Sequence, residues 1–318
     1  MRIYQSSLST RTFEIISEFA HDVKVNLLRS FALNDSETFH ILKNYRDNIN
    51  SVILDSGVWS KKNNPIKFNH TVDDYIEFLK KYSAEFDFYF NYDEDFDEKE
   101  RDKFGSKNET NQQKIEDAGL NPIPVLHLLD SDVVQFHVEQ FTKYPMVAIG
   151  SNGLSDARFA SVVNTLNTAD IKVHAFKLGS ADKVRDLPVF SADCSSHAQW
   201  TKAGRCVIYD NIKNIDTAIS FRPFNKRGEK NEDFYRSHPR KEDFFWFLEE
   251  VVGIEIESIL MDSNYRTFSN SIYFWWLERY LTMHQLSQQG KKYQFDDNVN
   301  VDDLLNLFEP DRSEQPQF

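Results

Sequence analysis

Between about residue 24 and residue 211, short apolar or β-branched runs alternate with longer amphipathic stretches. Eight runs predict strands: Lys24–Phe31, Ser51–Gly57, Phe86–Asp93, Asn121–Leu128, Pro145–Gly150, Lys172–Phe176, Pro188–Asp193 and Cys206–Asp210. The intervening stretches carry the helical period. In Thr71–Phe86, residues Val72, Tyr75, Ile76, Leu79 and Tyr82 recur at that spacing. Thr71 is placed to cap the helix, with Asp73 and Asp74 in its first turn. Strand and helix in alternation imply parallel strands joined by right-handed crossovers. Eight such units predict an α/β chain folded as a (β/α)8 TIM-like barrel. An open doubly wound sheet is the other arrangement, weakened because no GxGxxG follows the first strand. Arg2–Ser6 reads as an extra N-terminal strand within residues 1–23, and the barrel domain is expected to span 1–222.

Beyond residue 222 the pattern changes. Arg222–Lys241 holds seven basic and three acidic residues. It reads as a solvated loop or as a phosphate-contacting patch beside the barrel mouth. Lys241–Val252 and Asn270–Gln285 read as helices whose aromatics are core rather than base-stacking platforms. Residues 223–299 therefore form a basic loop and a helical C-terminal extension, and 300–318 a flexible acidic tail.

Composition narrows the function classes. The chain has 318 residues, 37 Lys and Arg against 50 Asp and Glu, and a net charge of −13. This balance argues against a surface coated for non-specific DNA or membrane binding and leaves room for a local basic groove. A 40% hydrophobic content with 27 Phe supplies a packed core. Two cysteines rule out a disulfide scaffold and a four-Cys zinc site. There is no transmembrane run, and Met1-Arg2-Ile3-Tyr4 opens without a signal-peptide apolar region. The expectation is a soluble, cytoplasmic protein.

In a parallel barrel the chemistry sits at the C-terminal ends of the strands. Those ends read Asp55-Ser56-Gly57, Asn91-Tyr92-Asp93, His127, Gly150-Ser151-Asn152, His174 and Asp193-Cys194-Ser195-Ser196. Asp and Ser after a strand also cap the next helix. Three carboxylates converging on one mouth push their pKa values apart, so that one stays ionised while another holds a proton. That suits cleavage at an anomeric carbon. A metal-dependent barrel hydrolase is the rival, with His127, His174, Asp55 and Asp193 as ligands. It lacks the HxH pair after the first strand and the central strand-end Lys common in such sites. Cys194 reads as incidental, since Asp193 beside it raises its pKa.

These strand ends resemble the tRNA-guanine transglycosylase superfamily. The closer likeness is to its phage and mobile-element branch, the DNA-guanine transglycosylases of 7-deazaguanine modification. The supporting segments are Leu27–Ala32, Ile53–Ser60, Asp87–Asp93, Gly119–His127, Tyr144–Ser151, Lys172–Ser180 and Phe190–Ser196, in the family's order. The resemblance implies that Asp193 is the nucleophile at C1′ and Asp55 the acid/base on the departing and incoming bases. It implies that Asp93 reads the guanine N1–H and 2-amino edge. His127, Gly150, Ser151, Ser56, Gly57 and His174 become substrate-binding positions. Ser151-Asn152 stands where Gly-Gly is usual, His197–Trp200 departs from the family pattern, and the zinc-binding cysteines of the tRNA enzymes are absent.

The implied reaction exchanges guanine in DNA for a 7-deazaguanine, with that base as co-substrate and no other cofactor. Alternatives are a tRNA-guanine transglycosylase or N-glycosidase acting on RNA or DNA, and a non-catalytic nucleic-acid-binding protein. DNA as partner demands a flipped base and local phosphate contacts, expected from Lys61, Lys62, Lys177, Lys202, Arg205, Arg236 and Arg240. In the tail, Leu304, Leu305, Leu307 and Phe308 resemble the short peptides that dock on sliding clamps. A terminal helix covering the protein's own core is the other reading.

Overall fold

The computed structural model describes residues 1–6, 8–33, 36–96, 105–150, 156–288 and 293. Ser151 and the clamp-like Leu304, Leu305, Leu307 and Phe308 lie outside the described residues. The strands are β1 (Arg2–Ser6), β2 (Val25–Ser30), β3 (Ile49–Asp55), β4 (Phe88–Tyr89), β5 (Val125–Leu126), β6 (Met146–Ile149), β7 (Lys172–Ala175) and β8 (Ser191–Cys194). They form one eight-stranded parallel sheet in the order β4-β3-β2-β1-β8-β7-β6-β5. A parallel bridge between Phe90 and Ile123 joins the two ends. The chain is a (β/α)8 TIM-like barrel with a C-terminal helical extension. The joint between β4 and β5 is short because Pro122 and Pro124 have no N–H to give the ladder.

Helices cover the outside: α1 (Thr10–Phe19), α2 (Ser36–Asn44), α3 (Val58–Asn63), α4 (Val72–Tyr82), α5 (Lys107–Asp117), α6 (Ser131–Glu139), α7 (Asp156–Thr168), α8 (Ala181–Val184) and α9 (Ser196–Lys202). In α4 the expected cap forms, and Thr71 and Asp74 satisfy each other's backbone N–H groups in a capping box. The strands alternate faces. Val52 and Leu54 join the layer under the helices, whereas Ile53 points into the barrel. Tyr4, Leu28, Ile53, Phe90, Ile123, Val125, Met146, Ala148 and Phe190 pack together there, so the interior is a filled core.

The barrel does not use all of the expected strands. Arg2–Ser6 is no accessory strand; it pairs with β2 on one side and β8 on the other. Cys206–Asp210, expected as the eighth strand, falls instead within β9 (Arg205–Asp210), which pairs antiparallel with β10 (Ile215–Ser220) outside the barrel. The place beside β8 is already taken by β1. Both segments are buried, and periodicity alone cannot tell two such runs apart.

The extension continues through α10 (Lys241–Trp246), a π-helical turn at Phe247–Val252, α11 (Ile256–Met261) and α12 (Ser263–Ser287). Its aromatics are core, as expected: Phe268, Tyr273 and Phe274 share one apolar cluster with Ile3 and Val25. The helix α12 lies across the outer face of β1. Glu278 accepts from the Ile3 amide and from Asn26 Nδ2, both at 2.6 Å, and Gln5 Nε2 donates to the Ser271 carbonyl at 3.0 Å. No described helix is long and apolar enough to cross a membrane.

Candidate active site

One periodicity builds the mouth. Residues two apart share a strand face. Tyr4, Leu28, Ile53, Val125 and Ala148 lie in the barrel interior, and two places on stand Ser6, Ser30, Asp55, His127 and Gly150. His174 and Ser191, bonded through Nδ1 and Oγ at 2.9 Å, are likewise followed by Phe176 and Asp193. All seven upper residues line one cavity of about 540 Å³ at the C-terminal ends of the strands. Asp93 also reaches this cavity, although regular pairing of its strand stops at Tyr89.

The three carboxylates have different surroundings. Asp93 is buried; His127 Nε2 lies 2.8 Å from its Oδ2 and Ser56 Oγ donates to its Oδ1 at 3.2 Å. Asp193 accepts from the Lys177 amide at 2.7 Å through Oδ1, and His174 Nε2 lies 3.7 Å from the same oxygen. Among the described residues, Oδ2 of Asp193 has no hydrogen-bond partner. Asp55 has the least support, one bond from the Gly57 amide at 3.1 Å. Burial, and then the nearby charges of Asp93 and Asp193, push its pKa up to about 7.

Of the walls, the sequence singles out Lys177, as a phosphate contact, but not the aromatic rings. Trp59 and Phe96 meet edge to face at 5.4 Å, and Phe96 stands edge-on to the His127 ring at 5.2 Å. The Lys177 ammonium lies 3.8 Å from the centre of the Trp59 ring. Lys177 has φ +60°, a strained setting that aims its N–H at Asp193. For Phe176 the signal was present: it stands two residues beyond His174 on the inward face. For Trp59 and Phe96, on a helix and a loop, no strand periodicity applies.

Two glycines are required here. A Cβ at Gly150 would lie 2.6 Å from His127 Cε1. Gly57, at φ +77°, would place one 2.4 Å from Ala32 Cβ. The expected residues are otherwise sorted by depth. Ser56 acts from beneath, on Asp93. His174 is fully buried one layer below the mouth, against Tyr4, Phe90 and Phe176. Cys194 is also buried; burial and then Asp193 raise its pKa well above the usual thiol value.

The expected phosphate contacts separate. Lys202 and Arg205 line a second cleft, of about 570 Å³, which shares Gln199 with the first. Arg236 instead packs on Tyr235, its Nε donating to the phenol oxygen at 2.9 Å. Arg240 is committed to Asp243 at 2.9 Å and to Asn211 Oδ1 at 2.7 Å. Among the described residues, no group of three or more His, Cys, Asp and Glu is arranged to hold a metal ion. No family model, curated protein or solved structure matches the chain.

Proposed function

We propose that the chain is a transglycosylase that exchanges guanine in DNA for a 7-deazaguanine base. The observation that carries the reading is the convergence of Asp55, Asp93 and Asp193 on one cavity in three distinct settings. Asp193 Oδ2 attacks C1′ of the flipped nucleotide, and the C1′–N9 bond breaks with its electrons going to guanine. Asp55, with a pKa near 7, gives the departing base its proton. An aspartyl–sugar ester remains. The incoming 7-deazaguanine then loses its N9 proton to Asp55, N9 attacks C1′, and the ester opens to release Asp193.

Asp93 reads the base. A carboxylate has about four acceptor sites, so bonds from His127 and Ser56 leave room for N1–H and the 2-amino group. Gly150 gives the purine a close approach to backbone.

The test is incubation with guanine-containing DNA and a labelled 7-deazaguanine, followed by denaturing gel and mass analysis. Wild type is expected to form a protein–DNA adduct and to incorporate the label; Asp193→Asn is expected to do neither. Neither adduct nor label with the wild-type protein overturns the proposal.

A further inference from the structure

We infer that the cleft between α9 and the β9–β10 hairpin is the track for a single-stranded nucleic acid leading into the cavity. The inference rests on the reading of the cavity as a base-exchange site and adds the form of the substrate. The cleft carries four cations, Lys202, Arg205, Arg222 and Lys226, on a chain of net charge −13. Among the described residues, no carboxylate pairs with Lys202, Arg222 or Lys226. Arg205 lies 3.7 Å from Asp233, and Glu229 is held by Asn225 Nδ2 at 2.8 Å. Three uncompensated cations in a concave surface suit a row of phosphates.

Two further features set the form of the ligand. Phe224 lines the cleft and is 60% exposed. An unpacked aromatic ring beside cations is the arrangement that stacks bases of a single strand. A paired duplex keeps its base faces inside the stack and offers Phe224 nothing to cover. The second feature is continuity. Gln199 belongs to both cavities, donates from Nε2 to Ser195 Oγ at 2.9 Å, and stands three residues before Lys202 on α9. A strand held at Lys202 is thereby led toward the mouth where Asp193 lies, and a base in a single strand has already left the stack.

The experiment measures binding of a labelled 20-nucleotide single strand, as DNA and as RNA, and of the matching DNA duplex, across a salt series. The proteins are wild type, K202E/R222E/K226E and Phe224→Ala, all exposed positions. Wild type is expected to bind a single strand more tightly than the duplex, and the tighter of the DNA and RNA strands identifies the source. The triple variant should lose at least about tenfold in affinity, with its log–log salt slope reduced by about 2, at ~0.7 per phosphate for single strands. Phe224→Ala should lose about fivefold or more. An unchanged salt slope in the triple variant, or equal affinity of wild type for duplex, overturns the inference. Base exchange is scored separately. Binding lost in the variants without exchange in wild type refutes the catalytic reading alone. Exchange in wild type with unaltered binding in the variants refutes the cleft alone.

Discussion

Asp55→Asn tests the electrostatics of the mouth through stability, independently of any substrate. The substitution keeps the size of the side chain and removes its charge. A folded pKa of about 7 against an ordinary 3.8 corresponds, at ~1.4 kcal/mol per unit, to a cost of about 4 kcal/mol once Asp55 is ionised. The sign follows from linkage. Below pH 3.8 the carboxyl is protonated in both states and costs nothing. As pH rises the unfolded chain gives up its proton first, so stability falls until the folded pKa near 7 is passed. Between pH 5 and pH 8 that loss is about 3 kcal/mol. A neutral amide at this position has no such loss, so the stability of the variant relative to wild type should rise by about 3 kcal/mol over the same interval. For a chain of 318 residues that is about 4–5 °C in Tm. Urea unfolding of both proteins at both pH values, at one ionic strength, reads the difference. A difference between the proteins that does not change with pH would refute the environment assigned to Asp55. On the proposed mechanism the gain should come with lost base exchange, because the same perturbed carboxylate is the proposed proton donor.

Gly150→Ala should lose both stability and base recognition. The new Cβ would sit 2.6 Å from His127 Cε1 and 3.1 Å from Val125 Cγ1, an overpacking that costs about 1–3 kcal/mol and turns His127 away from Asp93. Thermal unfolding and adduct yield measure the two effects, and wild-type values for both would contradict the packing described. In the native protein both thiols should resist a disulfide reagent at pH 8 and react once the chain is unfolded. Burial raises Cys194 well above its usual value and pushes Cys206 up to about 12. Rapid labelling of either thiol in the folded protein would refute this.

The strand ends were largely legible in the chain. In the sequence Asp55, Asp93, His127, Gly150 and Asp193 read as strand ends, and the structure gathers them around one cavity. Legibility came from the two-residue period and from the rule that parallel strands present their C-terminal ends together. The grouping of cations was less legible. Lys202 and Arg205 share a cleft with Arg222 and Lys226, whereas Arg236 is spent on Tyr235 beside it and Arg240 on Asp243 of α10 and on Asn211. A basic run shows how many charges are present, and only folding shows which of them have found carboxylates.

Local period and cap chemistry were enough to set the class of the fold, the capped helix at Thr71 and the apolar character of the C-terminal helices. Membership of the barrel was settled by contacts between distant segments. Arg2–Ser6 carries a buried Gln5 that looks wrong for a core strand until α12 supplies the Ser271 carbonyl as its partner. Cys206–Asp210 is as apolar as the barrel strands, yet it pairs with β10 because β1 already occupies the edge of β8. The poise of the three carboxylates was likewise decided by the fold. It depends on the Lys177 amide, the His127 ring and the burial of Asp55, which are relations between segments far apart in the chain.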